Sequence, residues 1–482
     1  MRLSHALAVL PFTVWSGVAL AEPATVDGAA AITSALQTYL GATDGVVTVA
    51  PEGEAYGVKL DFTPLLSKVP QKDFESSVTP VEFQLVDQGD GTWKMTQDQA
   101  FNLMIKMPGE LDLTLSTANM KSEGVFDVAL QAFTTSSSTI TDMSLAEKIS
   151  GTEAGATDVH YHVDSMVFES TAMEGANGGV DGTSNMVASG LKEEMALPPM
   201  GEGAPPTNIT VTLASYEANA TVAGYRPDAL YKLVAFFVAH PDEASIASNQ
   251  DEMKAAVTKA LPFFASAKSA GTLTGLSVDT PMGVFAAATG GVDVEMNGLV
   301  ADGLLREAFR LDGFTIPAGL VPDWAADLVP TKLAMDFKLT RFNLLAPVEL
   351  MISAMDLTKT PPMAPEQDEA MLAALLPEGV VDVTLAPGGV TAPAYDLAYE
   401  GMLSAGPAGT PSGKAKLTLT GIDKVQAALN AAPDDQKGQF LPMLGMAQGM
   451  AKPGDNGALV WELEMTPEGA MMVNGMNMGG EQ

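Results

Sequence analysis

His160-Tyr161-His162 is the constellation whose residue types and spacing come nearest to chemistry. Successive side chains on a strand alternate between faces. Asp158, His160, His162 and Asp164 would therefore share one face, and Val159, Tyr161 and Val163 the other. Two imidazoles and two carboxylates together could hold a divalent cation. The competing reading is a solvent-facing polar stripe opposite a buried apolar one. That reading is preferred, because neighbours two apart on a strand need further ligands from another element and the sequence identifies none. His160 and His162 stand as the metal candidates, while no metal site and no cofactor are expected.

Other routes to chemistry close quickly. His240 precedes Pro241-Asp242 at the end of an expected helix, where a cationic ring complements the helix dipole. No Ser lies in a G-x-S-x-G elbow, and no phosphate-binding glycine loop follows a strand. The chain has no Cys, which removes thiol catalysis, zinc–thiolate sites and iron–sulfur clusters. General acid–base work would fall to carboxylates, and nothing singles out a pair among 59 Asp and Glu. Asp87 and Asp90 lack the spacing of a calcium loop, and a hairpin turn accounts for them. No catalytic residue is assigned and the chain is read as a non-enzyme. An enzyme working through carboxylates, for instance on glycans, is the reading set aside.

The elements that would carry such residues begin with an export segment. Arg2 gives a positive end, Leu7 to Leu20 is mostly apolar, and Ala19-Leu20-Ala21 is a small-residue cleavage site followed by Glu22-Pro23. That order is the order of a secretory signal peptide, with cleavage between Ala21 and Glu22. The apolar part is shorter than the ~20 residues of a bilayer span, so no stable membrane span is expected after cleavage. The expected location is the periplasm.

Composition fits an exported globular chain of 482 residues. Hydrophobic residues make up 46%, enough for a sizeable core. Lys and Arg number 25, for a net charge of −34. Such a chain is repelled by phosphates and by anionic membranes, so no nucleic-acid partner is expected.

Asp27 can cap and Gly41 can end an opening helix containing Ile32, Leu36, Tyr39 and Leu40. Period-two alternation then dominates: Val58-Leu60-Phe62, Val81-Phe83-Leu85, Leu111-Leu113-Leu115, and the runs 125–130 and 159–163. Gly89-Asp90-Gly91 reads as a hairpin turn. Residues 174–206, rich in Gly, Asn, Ser and Pro, read as a long loop with one short strand near Ser184 to Leu191. They mark the boundary between an N-terminal β-rich half (22–206) and a C-terminal half (207–482). Helices are expected at 228–240 and 250–268, punctuated by Pro241 and Pro262, and at 366–376. Strands are expected at 209–213, 217–222, 273–300, 332–339 and 348–355.

A strand–helix–helix–hairpin unit recurs at about 217–300 and 414–478. Ala220 to Leu230 and Leu417 to Val425 each lead into a helix. Leu261-Pro262-Phe263 parallels Leu441-Pro442-Met443, and Thr280-Pro281-Met282-Gly283 parallels Thr466-Pro467-Glu468-Gly469. Asn297-Gly298 parallels Asn474-Gly475. The fold expected is α+β and mainly β: one or more large, curved antiparallel sheets with helices packed on one face.

The export segment, the alternating strands, Lys416 to Lys424 before a helix, and the terminal strand–turn–strand resemble an alphaproteobacterial exported family known as domain of unknown function 2125. In architecture alone, the strand–helix–sheet repeat is similar to envelope proteins of the AsmA and tubular lipid-binding type. The 28 Met, with Met443, Met446 and Met450 at helical spacing, suit either an adaptable apolar surface or core filling. The function expected is the binding of a lipid or other apolar ligand in cell-envelope maintenance. The alternative is an interaction module with an envelope protein partner and no small ligand.

Overall fold

The computed structural model describes residues 23–68, 74–150, 157–176, 178–198, 207–359, 362–363, 367–407 and 409–479. The expected export segment and the cleavage point expected between Ala21 and Glu22 lie outside the described residues. The chain is α+β and mainly β, with 52% strand against 24% helix, and its strands pair antiparallel in open sheet. Two compact units divide it. The first is Met1–Ala267 with Ile352–Ala364, and the second is Lys268–Met351 with Pro365–Gln482.

The first unit opens with α1 (Val26–Leu40). Thr25, rather than Asp27, caps it: the Thr25 hydroxyl accepts from the Gly28 N–H at 3.0 Å, and Asp27 sits in the first turn. Gly41, at φ +80°, ends the helix. Ile32 and Leu36 at i, i+4 face inward and join Val46, Val58, Leu85 and Phe126 in one core.

Strands follow as β1 (Val47–Glu52), β2 (Ala55–Leu60), β3 (Glu75–Val78), β4 (Val81–Asp87), β5 (Thr92–Met107), β6 (Leu111–Asp127), β7 (Ala132–Ile149), β8 (Thr157–Glu174), β9 (Val180–Leu197) and β10 (Thr207–Tyr225), with the short α2 (Thr63–Leu66) between β2 and β3. Neighbours run β1-β2-β4-β5-β6-β7-β8-β9-β10, and β3 shares an edge of β5 with β4. Gly89 and Gly91 turn β4 into β5 with φ of +75° and +90°. The Asp87 and Asp90 carboxylates accept from Gly89 and Thr92 N–H groups within that turn.

The long loop expected at 174–206 is instead mostly strand. β9 spans 18 residues and pairs with both β8 and β10. Its Gly, Asn and Ser residues hid it, because a strand polar on both faces shows no alternation. The boundary expected at 206 therefore falls between two paired strands, and the first unit continues through Ala267.

One irregularity crosses these long strands. The ladders skip a rung at Ala118 and Asp142, at Asp142 and Asp164, and at Gly190 and Ala214, and between β8 and β9 they skip two, Val163 with Leu191 and Asp164 with Gly190. Asp142 and Gly190 have φ of +51° and +63°. Opposed residues thus line up as a transverse seam.

After β10 come α3 (Pro227–Ala239), α4 (Glu243–Ser248) and α5 (Gln250–Ala260). Tyr39 of α1 meets Tyr231 of α3 edge to face at 6.1 Å.

The second unit carries β11 (Ser266–Thr280), β12 (Gly283–Asn297), β13 (Leu305–Asp312), β14 (Lys332–Thr340), β15 (Val381–Thr391), β16 (Asp396–Gly406), β17 (Gly409–Thr420), β18 (Lys452–Pro453), β19 (Leu459–Met465), β20 (Met471–Val473) and β21 (Met476–Asn477). Strands β12 to β17 pair in sequence, β17 pairs with β19, and β19 with β20. The helices are α6 (Leu345–Ala354), whose residues from Ile352 on belong to the first unit, α7 (Gln367–Leu375), α8 (Ile422–Ala431) and α9 (Asp434–Met450). The strand expected at 348–355 is thus helix, since a short apolar run has no periodicity to decide between the two.

The segments around 217–300 and 414–478 both run strand, helices, hairpin. Their details differ. Pro262 lies past the end of α5, whereas Pro442 lies inside α9. Asn474-Gly475 is a turn with φ of +52° and +84°, whereas Asn297 ends β12.

Candidate functional site

The structure puts Asp158, His160, His162 and Asp164 on one face of β8, with Val159 and Val163 buried on the other. The two rings do not converge. His160 Nε2 lies 3.2 Å from Asp158 Oδ1. His162 Nε2 lies 3.1 Å from Asp164 Oδ1, and its Nδ1 lies 3.2 Å from Ser144 Oγ and 3.7 Å from Asp142 Oδ1. Each imidazole is taken up by its own carboxylates, and no group of three or more ligands able to hold a metal occurs among the described residues. His240 is the C-cap residue of α3, with Nδ1 2.9 Å from the Phe236 carbonyl and its ring 4.3 Å from the Phe236 ring.

The feature that could bind something lies in the second unit, and strand register builds it. Phe337, Leu385, Gly401, Ala415, Leu463 and Val473 stand opposite one another in one row across six strands. The adjacent row on the same face is Leu339, Val383, Leu403, Gly413, Met465 and Met471. Both rows are entirely apolar. Small residues on β16 and β17 (Gly401, Gly413 and Ala415) are flanked by large ones, so the surface dips there. A hollow of about 390 Å³ results.

Gly413 is required by close approach: a Cβ there would run into the Met402 carbonyl of β16. One row further along on the same face stand Tyr399, Leu417 and Trp461. Trp461 is buried and donates its Nε1–H to the Ala447 carbonyl of α9 at 2.9 Å, so that helix covers this row at Trp461.

The opposite face is charged and paired. Arg306 holds Asp336 through Nε and Nη2 at 2.9 and 2.7 Å, and Lys332 meets Asp312 at 2.8 Å. The hydrogen bond to Asp336 raises the Arg306 guanidinium above its ordinary value. Lys414 and Glu464, which alternate with the residues of the hollow and so belong to this opposite face, pair at 3.1 Å. The hollow therefore presents hydrocarbon, while the charges of these strands pair on the opposite face.

The first unit contrasts with it. Leu103, Leu115, Leu145, Tyr161, Glu193 and Val211 form a row across β5 to β10, so a carboxylate interrupts the apolar face. Burial, then a hydrogen bond with Glu193 and the charges of Glu193 and Glu147, push the Tyr161 phenol up. Two further hollows in this unit, of about 500 and 630 Å³, are lined largely by Ser, Thr, Gln and charged residues.

No family model, curated protein or solved structure matches the chain. No helix among the described residues is long and apolar enough to cross a membrane.

Sequence reasoning missed the hollow. Two of its strands show as alternating runs, Leu397-Tyr399-Gly401-Leu403 and Leu459-Trp461-Leu463-Met465, but nothing in either run sets the register that aligns them.

Proposed function

We propose that the protein is an exported, periplasmic component of the cell envelope that shelters a lipid or another apolar ligand in the hollow between β14 and β20. The supporting observation is the pair of uninterrupted apolar rows with a small-residue floor. Its volume of about 390 Å³ falls within the range of about 300–1,000 Å³ typical of small-molecule sites. Each methylene buried there contributes ~0.8 kcal/mol, so part of an acyl chain is held without any charged anchor. Membership of the exported family that the sequence resembles belongs to the same proposal, as does removal of residues 1–21.

The test is native mass spectrometry and solvent extraction of the exported protein, followed by titration with a fluorescent fatty acid. Recovery of a bound apolar molecule, or saturable uptake of the probe, is the expected result. A ligand-free chain that takes up no probe overturns the reading. In that case, recovery of one specific protein partner would favour the interaction-module alternative. N-terminal sequencing of the exported protein should begin at Glu22, and a start at Met1 rejects the export reading.

A further inference from the structure

Ser144, His162 and Asp164 stand in one hydrogen-bonded line on the polar face of β7 and β8. Ser144 Oγ lies 3.2 Å from His162 Nδ1, and His162 Nε2 lies 3.1 Å from Asp164 Oδ1. The end groups fix the roles in the middle. A carboxylate only accepts, so Nε2 carries the proton toward Asp164. In the neutral ring Nδ1 is then the acceptor, and the Ser144 hydroxyl donates to it. A hydroxyl on a base whose tautomer a carboxylate holds is the arrangement of an activated serine nucleophile.

The sheet builds this line. Register sets Ser144 of β7 directly opposite His162 of β8. The seam sets Asp164 two residues on, beside Asp142, where the ladder omits a rung. Gly190 of β9 makes the room: an added Cβ there would overlap the Asp164 carboxylate. Asp142, at φ +51°, brings its Oδ1 to 3.7 Å from Nδ1. That is too far to take over the Ser144 hydrogen bond, and close enough to offset positive charge arriving on the ring. Ser116 of β6 opposes Ser144 in the same row, so a second hydroxyl flanks the nucleophile where an ester oxygen would turn negative. His160 has no such setting: Ala146 stands opposite it, and its Nε2 lies against Asp158. The sequence shows no serine motif because the serine and its base come from different strands.

We propose that Ser144, His162 and Asp164 hydrolyse neutral carboxylic esters. Ser144 Oγ adds to the ester carbonyl carbon and its proton passes to His162 Nδ1. The carbon–oxygen bond to the alcohol breaks, and the alcohol leaves with that proton. Water then attacks the acyl-serine by the same route, releasing the carboxylic acid and restoring Ser144. Asp164 is a positioning residue, holding the ring through Nε2. The site is open, with the His162 and Asp164 side chains 39% and 68% exposed. An open site stabilises an oxyanion less than a dry one, which suits esters rather than amides, whose amine leaves less readily. Asp142 and Asp164 repel anionic substrates. The activity is independent of what the hollow in the second unit holds.

The experiment uses the full chain with 4-nitrophenyl acetate. The wild type should hydrolyse it above the buffer rate, and a fluorophosphonate probe should label Ser144, located by peptide mass spectrometry. Ser144→Ala and His162→Ala should each lower the rate about a hundredfold, with unchanged circular dichroism spectra. His160→Ala should match the wild type. Asp164→Asn, which can donate to Nε2 and reverse the tautomer, should also be slow, and Asp164→Glu, which keeps an acceptor there, should recover part of the rate. The chain has no Cys, so Ser144→Cys supplies a single thiol. Near pH 7 that thiol should react with iodoacetamide about tenfold faster than the one in Ser136→Cys, which faces Ser170. This comparison decides if an alanine variant loses structure. No hydrolysis above buffer, no label on Ser144, a wild-type rate in Ser144→Ala or Asp164→Asn, or equal alkylation of the two thiols overturns the proposal.

Discussion

Gly401 of β16 stands directly opposite Ala415 of β17, and a Cβ on Gly401 would lie 3.0 Å from the Ala415 Cβ. Two of the smallest residues thus meet in the middle of a row whose other members are Phe337, Leu385, Leu463 and Val473. The dip in the sheet surface is a product of register: shifting either strand by one residue would turn its apolar side chains to the charged face.

Filling that dip should abolish uptake without unfolding the unit. Ala415→Leu projects a branched side chain into the hollow from a position where the strand already tolerates a Cβ. We expect about tenfold or greater weakening of fatty-acid probe binding, read by fluorescence titration, with little change in the urea midpoint.

Gly413 makes the opposite case. Here the obstacle is the Met402 backbone carbonyl, which cannot rotate away as a side chain would. Gly413→Ala should cost about 1–3 kcal/mol of stability, read as a lower urea midpoint.

Tyr231 gives the chain an alkaline weakness. Its hydroxyl is buried and has no hydrogen-bond partner among the described residues. Burial, reinforced by neighbouring Tyr225 and Tyr39, pushes the phenol well above its ordinary range. Below the ordinary phenol pKa of about 10, folded and unfolded states are both neutral and stability is complete. As pH rises past that value the unfolded phenol ionises and the folded one does not, so stability falls. Tyr231→Phe should leave stability at neutral pH equal or higher and shift alkaline unfolding, followed by circular dichroism, to higher pH.

The cap on α1 is open to a simple check. Thr25→Ala removes the acceptor for the Gly28 N–H and should cost about 1 kcal/mol in urea denaturation.

His160→Ala combined with His162→Ala should leave zinc and copper content unchanged when the metals are measured directly. The two rings are engaged by different carboxylates and share no ligand point. A loss of bound metal in the double variant would contradict this arrangement.

Much of the β architecture was legible because one-sided strands announce themselves. β2, β4, β6, β8 and β14 all carry the alternation that the sequence displays. β9 does not: Gly182, Asn185 and Gly190 sit among its residues, and only pairing with β8 and β10 makes it a strand. The run containing Val348 and Met355 reads as well for a strand as for a helix, and α6 is the outcome. The hollow was illegible for a different reason. Each strand supplies only one or two of its residues, and the relation among Phe337, Gly401, Ala415 and Leu463 exists only once the ladders are set.

The seam through Ala118, Asp142, Asp164, Gly190 and Ala214 has a dynamic consequence. A sheet opens by unzipping, and unzipping propagates through consecutive ladder bonds. Where five strands omit the same rung, an opening that starts at either end meets a ready stopping line. The long strands of the first unit then behave as two separately protected blocks, distinguishable by hydrogen exchange, with the amides around Asp142 and Gly190 the first of the interior to exchange.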